Sequence, residues 1–363
     1  MPVRPSHSNA DASGGPSAPA RETRTAPPAV LFALAPVDRR LFLDASLMPW
    51  DTFAGAAQWI DPTAQSPETW RETLRRIEPE VIVSGWETLP LPEQWIQDPG
   101  CRLRYVCHLA GSVRRLVPRA FLARGGLVSN WGGIAAASVA EHALLLILAA
   151  LRDLGSWRDH IAALSAQGPQ ERLPTRPLRG RRIGLHGFGG IARALVALLR
   201  SFGVTIRAFS EGVPAGVFHE HGVERCDSLE ALFGQSDVLV ECEALTEKTR
   251  GSVTAALLRL LPDDAVFVNV GRGRVVAEDA LAEAASSRRL RVAVDVVSNE
   301  PIQEDHPLLR APGAIVSPHI GGPTREEYGL CGRRAWENLN RYLRGEPPED
   351  DSLVSLELYD RST

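Results

Sequence analysis

Short apolar runs separated by stretches of helical spacing recur along the chain from Ala29 onward. Val30 to Leu34, Val81 to Val83, Leu103 to Leu109 and Leu127 to Ser129 read as strands with helices between them. A second series opens at Arg181. It runs through Arg182 to His186, Val204 to Phe209, Val238 to Val240, Ala265 to Val270, Leu290 to Val294 and Ala314 to Val316. Such alternation predicts layered α/β domains. Between the series, Ala135 to Leu151 is apolar nearly all round, which suits a helix buried between domains or subunits. The helical stretch Thr324 to Leu343 has no strand after it and is expected to return to the first series.

The runs of the second series end in residues with chemical capacity. Ala265 to Val270 leads into Arg272, Leu290 to Val294 into Asp295 and Glu300, and Ala314 to Val316 into His319. In an open parallel sheet, ligands collect beyond the carboxyl ends of the strands, so these residues are assigned to one crevice. A carboxylate such as Glu300 beside His319 would favour the imidazolium and yield an acid/base group. Arg272 adds a fixed cation whose fork suits a carboxylate or a carbonyl oxygen.

Upstream, Arg182 to His186 leads into Gly187-Phe188-Gly189-Gly190-Ile191-Ala192, where a strand, a glycine turn and a helix follow in the order of a dinucleotide fingerprint. Gly187 permits the turn, and Gly189 lets the backbone approach a pyrophosphate. Ala192 allows close packing of helix on strand, and the free N–H groups of the helix start attract phosphate. The next strand ends Ala208-Phe209-Ser210-Glu211, so Ser210 stands where a ribose-reading acid normally sits. No arginine follows to receive a 2′-phosphate, and Glu211 could reach the ribose. The reading leans to NAD over NADP.

Composition narrows the function classes. A chain of 363 residues exceeds the roughly 250 to 300 over which single cores usually grow, so two domains are expected. Net charge is −4, from 40 basic and 44 acidic side chains, and no dense basic block offers a footprint for nucleic acid. The five cysteines lack a C-x-x-C pair, which argues against a disulfide framework or a zinc cluster and for reduced thiols in a cytoplasm. Cys107-His108 lies inside a strand-like run, and no metal is expected. The first 28 residues hold six prolines and no apolar h-region, so a disordered extension without a secretory signal is expected. Ala143 to Leu151, the longest uncharged apolar stretch, is well short of the roughly 20 residues that cross a bilayer, so no membrane span is expected. Glu346 to Asp351 begins what reads as an acidic tail.

The chain resembles the D-isomer-specific 2-hydroxyacid dehydrogenase family over about residues 29 to 345. The resemblance rests on the Gly187 loop, Leu245-Thr246-x-x-Thr249-Arg250-Gly251, Val268-Asn269-Val270-Gly271-Arg272-Gly273, Val294-Asp295-Val296-x-x-x-Glu300-Pro301 and Pro318-His319-Ile320-Gly321-Gly322. It implies an α/β fold of two doubly wound parallel-sheet domains. A flavodoxin-like substrate domain would span 29–134, completed by 320–345, and a Rossmann dinucleotide-binding domain 135–319, with 1–28 as an extension and 346–363 as a tail.

By the same resemblance His319 is the general acid/base, Glu300 its carboxylate partner, and Arg272 the group that orients and polarises a 2-oxo acid. Gly187, Phe188, Gly189, Gly190, Ile191, Ser210, Val270, Gly271, Gly321 and Gly322 would contact the cofactor, with Asp295 on its nicotinamide side. Trp86, Gly111, Ser112 and Val113 would meet the substrate together with Arg272 and His319. The implied activity is hydride transfer between NAD(P) and C2 of a small 2-oxo or 2-hydroxy acid, in a homodimer. The alternative is a nicotinamide-sensing, corepressor-like binding protein with residual catalysis.

Two departures from the family pattern stand out. Ser112, Arg114 and Arg115 replace the usual substrate loop, which raises the idea that one arginine meets a second anionic group. Glu241-Cys242-Glu243-Ala244 places two acids beside the expected cofactor, where the family carries His-x-Pro.

Overall fold

The structure, a computed structural model, describes residues 28–43, 57–169 and 172–361; the expected extension at 1–28 lies outside them apart from Pro28. Two parallel sheets organise the chain. The first contains β1 (Val30–Ala33), β2 (Ala57–Ile60), β3 (Val81–Ser84), β4 (Tyr105–His108) and β5 (Leu127–Ser129), in the spatial order β2-β1-β3-β4-β5. The second contains β6 (Arg182–His186), β7 (Thr205–Phe209), β8 (Glu224–Arg225), β9 (Val238–Glu241), β10 (Ala265–Asn269), β11 (Leu290–Val294) and β12 (Ile315–Val316), ordered β12-β11-β10-β9-β6-β7-β8.

The continuous apolar runs are explained by burial on both faces, as parallel sheets require. In β10, Val266 and Val268 enter one core with Leu195 and Ala143, while Ala265 and Phe267 enter the other with Leu281 and Phe233. The helix Gly190–Leu199 buries Ala192, Leu195, Val196 and Leu199, one stripe at helical spacing, against that sheet. β2 and β8 have no counterpart in the sequence reading. Both are edge strands, half-buried or exposed, and lack the apolar run that marks the central strands.

The helix Ile134–Leu151 is long and apolar enough to cross a membrane by composition, yet Ala143, Leu146 and Ile147 are packed into the core of the second sheet. The helix Tyr328–Leu343 returns to the first sheet, where Cys331, Ala335 and Leu339 pack with Phe32, Val83 and Tyr105. The expected tail at 346–363 needs correction. Leu353 bridges Ser129 in antiparallel fashion, the Val354 N–H donates to the Val128 carbonyl, and Val354 and Tyr359 are buried in the first domain. An edge strand leaves backbone groups unpaired, and β5 satisfies them with this segment. The charge run at 346–351 masked the apolar residues that follow it.

Candidate active site

Strand β6 lies between β7 and β9, so strand order reverses at the glycine turn that follows it. That reversal opens the crevice in which such sheets hold dinucleotides. Gly187 has φ +94°, and a Cβ there would come within 2.7 Å of the Glu243 backbone, so both conformation and space require glycine. A Cβ on Gly189 would meet nothing, leaving open space at the mouth of the helix Gly190–Leu199. No side chain caps that helix, so its first N–H groups remain for an anion. An uncapped helix start facing open space fits a pyrophosphate. Phe188 contributes only backbone there, because its ring stacks on Phe218 at 4.5 Å in the core. Val270 and Gly271, at the end of β10, are buried and donate their N–H groups to the Glu241 carbonyl.

His319 and Glu300 come together as the sequence suggests. His319 Nδ1 lies 2.6 Å from Glu300 Oε2, and both side chains remain partly open to solvent. Arg272 is electrostatically coupled to Glu300; burial pulls its pKa below the ordinary value, and the Glu300 charge opposes that shift. Its Nη1 donates to the Gly271 carbonyl at 2.7 Å. The next residue explains how the two loops meet. A Cβ on Gly273 would overlap the Val297 carbonyl and the Ser298 nitrogen, so only glycine lets the Arg272 turn press against the loop that carries Glu300.

His319 occupies the left-handed region at φ +54°, a conformation that costs a non-glycine residue on the order of 1 kcal/mol and persists only when its surroundings enforce it. Asp295 does so. Its carbonyl accepts the His319 N–H at 3.0 Å, Oδ1 accepts from the Ile320 N–H at 3.0 Å and the Ser317 hydroxyl at 2.6 Å, and Oδ2 accepts from the Gly321 N–H at 2.9 Å. His142 Nε2 reaches Oδ1 at 3.2 Å and the Ser317 hydroxyl at 2.9 Å. Burial alone would raise the Asp295 pKa, but these hydrogen bonds outweigh it and hold the carboxyl below its usual range. The observed work of Asp295 is thus to fix the loop that presents His319. His142 escaped the sequence reading, although it is the one imidazole in a helix whose polar side chains are otherwise only Ser138 and Glu141. Gly322 lies beyond this clamp, with open space where a Cβ would be.

The side chains of the two unexpected acids have separate hydrogen-bond partners. Glu241 is fully buried and bonds His186 Nδ1. Burial disfavours the His186 imidazolium, but the charge and hydrogen bond of Glu241 prevail and raise its pKa. Glu243 instead receives the Ser210 hydroxyl at 2.8 Å. Glu211 is turned outward, 3.9 Å from Lys248, and is 74% exposed.

On the first sheet, Trp86 follows β3 and is 37% exposed. Its ring meets Phe42 at 5.0 Å, Tyr328 at 5.5 Å and Trp131 at 6.4 Å. Trp131 also covers Gly111, where a Cβ would collide with the indole. Ser112 is exposed, whereas Val113 points into the core. The arginines that follow are otherwise engaged. Arg115 donates to the Trp86 carbonyl at 2.9 Å, and Arg114 lies over the Tyr359 ring at 5.6 Å, so both act within the first domain. Cys107 and His108 likewise have structural partners: the thiol meets the Ala335 carbonyl and His108 Nδ1 the Ser84 hydroxyl. Among the described residues no group of three His, Cys, Asp or Glu side chains is placed to hold a metal.

The description "D-isomer specific 2-hydroxyacid dehydrogenase, NAD binding domain" matches residues 144–321. The glyoxylate reductase of Aeropyrum pernix is 30% identical over 264 residues, which cover 71% of this chain and 78% of that protein. The D-3-phosphoglycerate dehydrogenase of Methanocaldococcus jannaschii is 31% identical over 62% of this chain, and the match spans only 43% of that longer relative. Among solved structures, the apo D-mandelate dehydrogenase of Rhodotorula graminis superposes with a TM-score of 0.77 at 22% identity, covering 91% of this chain and 98% of that one, and so shares the fold. With two parallel α/β domains and a nicotinamide-dinucleotide-binding unit at 144–321, the chain belongs to the D-isomer specific 2-hydroxyacid dehydrogenase family of oxidoreductases.

Proposed function

We propose that this protein is a cytoplasmic, NAD-dependent 2-oxo acid reductase acting reversibly on D-2-hydroxy acids. The observation that carries the reading is the His319–Glu300 hydrogen bond of 2.6 Å with Arg272 coupled to the same carboxylate. Bound nicotinamide would supply or accept the hydride at substrate C2. Glu300 takes the Nδ1 side of His319 and orients the ring, which leaves Nε2 for the substrate oxygen. In reduction, His319 gives its Nε2 proton to the oxygen of C2 as negative charge grows there; in oxidation it takes the proton back. Arg272 holds the 2-oxo acid by its carboxylate or carbonyl oxygen and stabilises the developing charge. The backbone around Gly111 and Ser112 supplies N–H donors for the substrate carboxylate, and Trp86 provides an apolar wall for the substituent on C2.

The corepressor-like alternative lacks a comparable observation. A binding-only role gives no reason for a residue in a left-handed backbone conformation to be clamped beside a carboxylate. Purified protein given NADH and a panel of 2-oxo acids should consume the nucleotide with at least one of them. No turnover with any member, while the nucleotide binds, would remove the enzymatic reading.

A homodimer is part of this proposal. Leu145, Leu154, Trp157, Ile161 and Leu164 are exposed along Ile134–Leu151 and the helix that follows, an apolar face suited to a second copy. Light scattering behind size exclusion should return twice the chain mass, and a monomer would refute it.

A further inference from the structure

We infer that Glu243, delivered from the loop after β9, is the carboxylate that reads the adenosine ribose, in place of the acid that usually ends β7. The inference rests on the reading of residues 144–321 as a dinucleotide-binding domain. In folds of this kind the ribose diol is received by an Asp or Glu at the end of the strand after the glycine-turn helix. Here that strand is β7, and Ser210 follows it. The next acid, Glu211, points to solvent beside Lys248.

The geometry supplies a replacement from the neighbouring strand. The Ser210 hydroxyl donates to Glu243 Oε2 at 2.8 Å, and Glu243 Oε1 accepts the Ala244 N–H at 2.9 Å. The main chain is fixed as well, since the Glu243 N–H donates to Glu241 Oε1 at 2.8 Å. Gly187 packs directly against the Glu243 backbone, which ties this carboxylate to the turn that starts the pyrophosphate loop. A carboxylate therefore stands beyond the ends of β6 and β7, pinned on both of its oxygens.

Charge distinguishes it from its neighbour. Glu241 shares a buried contact with His186 and is internally compensated. The side-chain hydrogen bonds of Glu243 come from a hydroxyl and a main-chain N–H, neither of which carries charge, and its longer-range interaction with His186 is electrostatic rather than a hydrogen bond. Such a group accepts hydrogen bonds from a ribose diol and repels a 2′-phosphate. Ser210 acts as the positioning residue: it cannot read the diol as a carboxylate would, but it aims the group that can. The pair divides between two strands a task that one acid performs elsewhere.

The test measures nucleotide binding without substrate, by fluorescence titration of NADH and NADPH against the full chain. The unaltered protein should favour NADH by about tenfold or more, and Glu243→Gln should weaken NADH by about tenfold while narrowing the gap to NADPH. Adding Ser210→Asp to that variant should restore the preference, because the acid returns to the strand end. Ser210→Ala should weaken NADH by a few fold, roughly one neutral hydrogen bond. Circular dichroism and the Tm of each variant separate a local effect from a lost fold, and the Ser210 variants carry the test if Glu243→Gln does not fold. Unchanged affinities in folded Glu243→Gln, an equal loss for both nucleotides, or a preference of the unaltered protein for NADPH would each overturn the inference. Failure of the unaltered protein to bind either nucleotide would instead overturn the proposed function.

Discussion

The second sheet carries its chemistry on polar side chains that hydrogen-bond to one another, whereas the first sheet contributes aromatic rings and buried, uncharged groups. Beyond β11 and β12, Asp295, Ser317 and His142 hydrogen-bond to one another, and the Asp295 carbonyl joins them through the His319 N–H to the His319–Glu300 pair. Beyond β3 and β4, Trp86, Trp131 and Tyr328 meet edge to face, and His108 is buried behind them with a pKa pushed down to about 4. The family description also stops at the second unit, covering 144–321. The difference teaches that the two sheets are built for different work: connected polar geometry beyond the second, and packing of rings beyond the first.

Four experiments would sharpen or break that division. The largest effect is expected at the proposed proton donor. His319→Ala should lower kcat by about 10²- to 10⁴-fold, the usual range for a general acid, with NADH affinity nearly unchanged. Full turnover in a folded variant would end the assignment. Second, Arg272→Gln should cost about 10²- to 10³-fold in kcat/KM, as loss of a charge-stabilising donor does. A loss confined to nucleotide affinity would contradict that role.

The third experiment concerns the buried imidazole of the first sheet. Burial holds His108 near 4, whereas an unfolded chain titrates near its ordinary value of 6.5. As pH falls through 6.5 the unfolded chain takes up a proton that the folded one refuses, so stability declines progressively until about pH 4. The loss should approach about 3 kcal/mol, and His108→Asn should flatten it in urea titrations made at neutral and acid pH. An identical acid branch in both proteins would refute the attribution. The smallest effect is expected at the wall: Trp86→Ala should raise KM about tenfold for 2-oxo acids with a large apolar substituent and little for glyoxylate. Equal changes for both would make Trp86 a packing residue.

Legibility followed the same division. The positions of Glu300 and His319 after two strand-like runs place them in one crevice, and the structure joins them at 2.6 Å. The glycine turn was equally plain, since Gly187, Gly189 and Ala192 lie within six residues and their spacing alone states the geometry. The acidic run at 346–351 misled, because the burial of Val354 and Tyr359 depends on a free edge of β5 that nothing local announces. His142 and Ser317, which hold Asp295, are separated by most of the second domain and share no motif.

Local pattern was therefore sufficient for the central strands of both sheets, the two-domain division, the glycine turn and the convergence of Glu300 and His319. These depend on residues near one another in the chain and on the common direction of parallel strands. Only the folded chain decided that Glu243 meets Ser210, that Asp295 spends its oxygens on the His319 loop, and that Arg114 and Arg115 serve the first domain. Those contacts join distant residues through strand register and loop packing, which the spacing of a sequence does not encode.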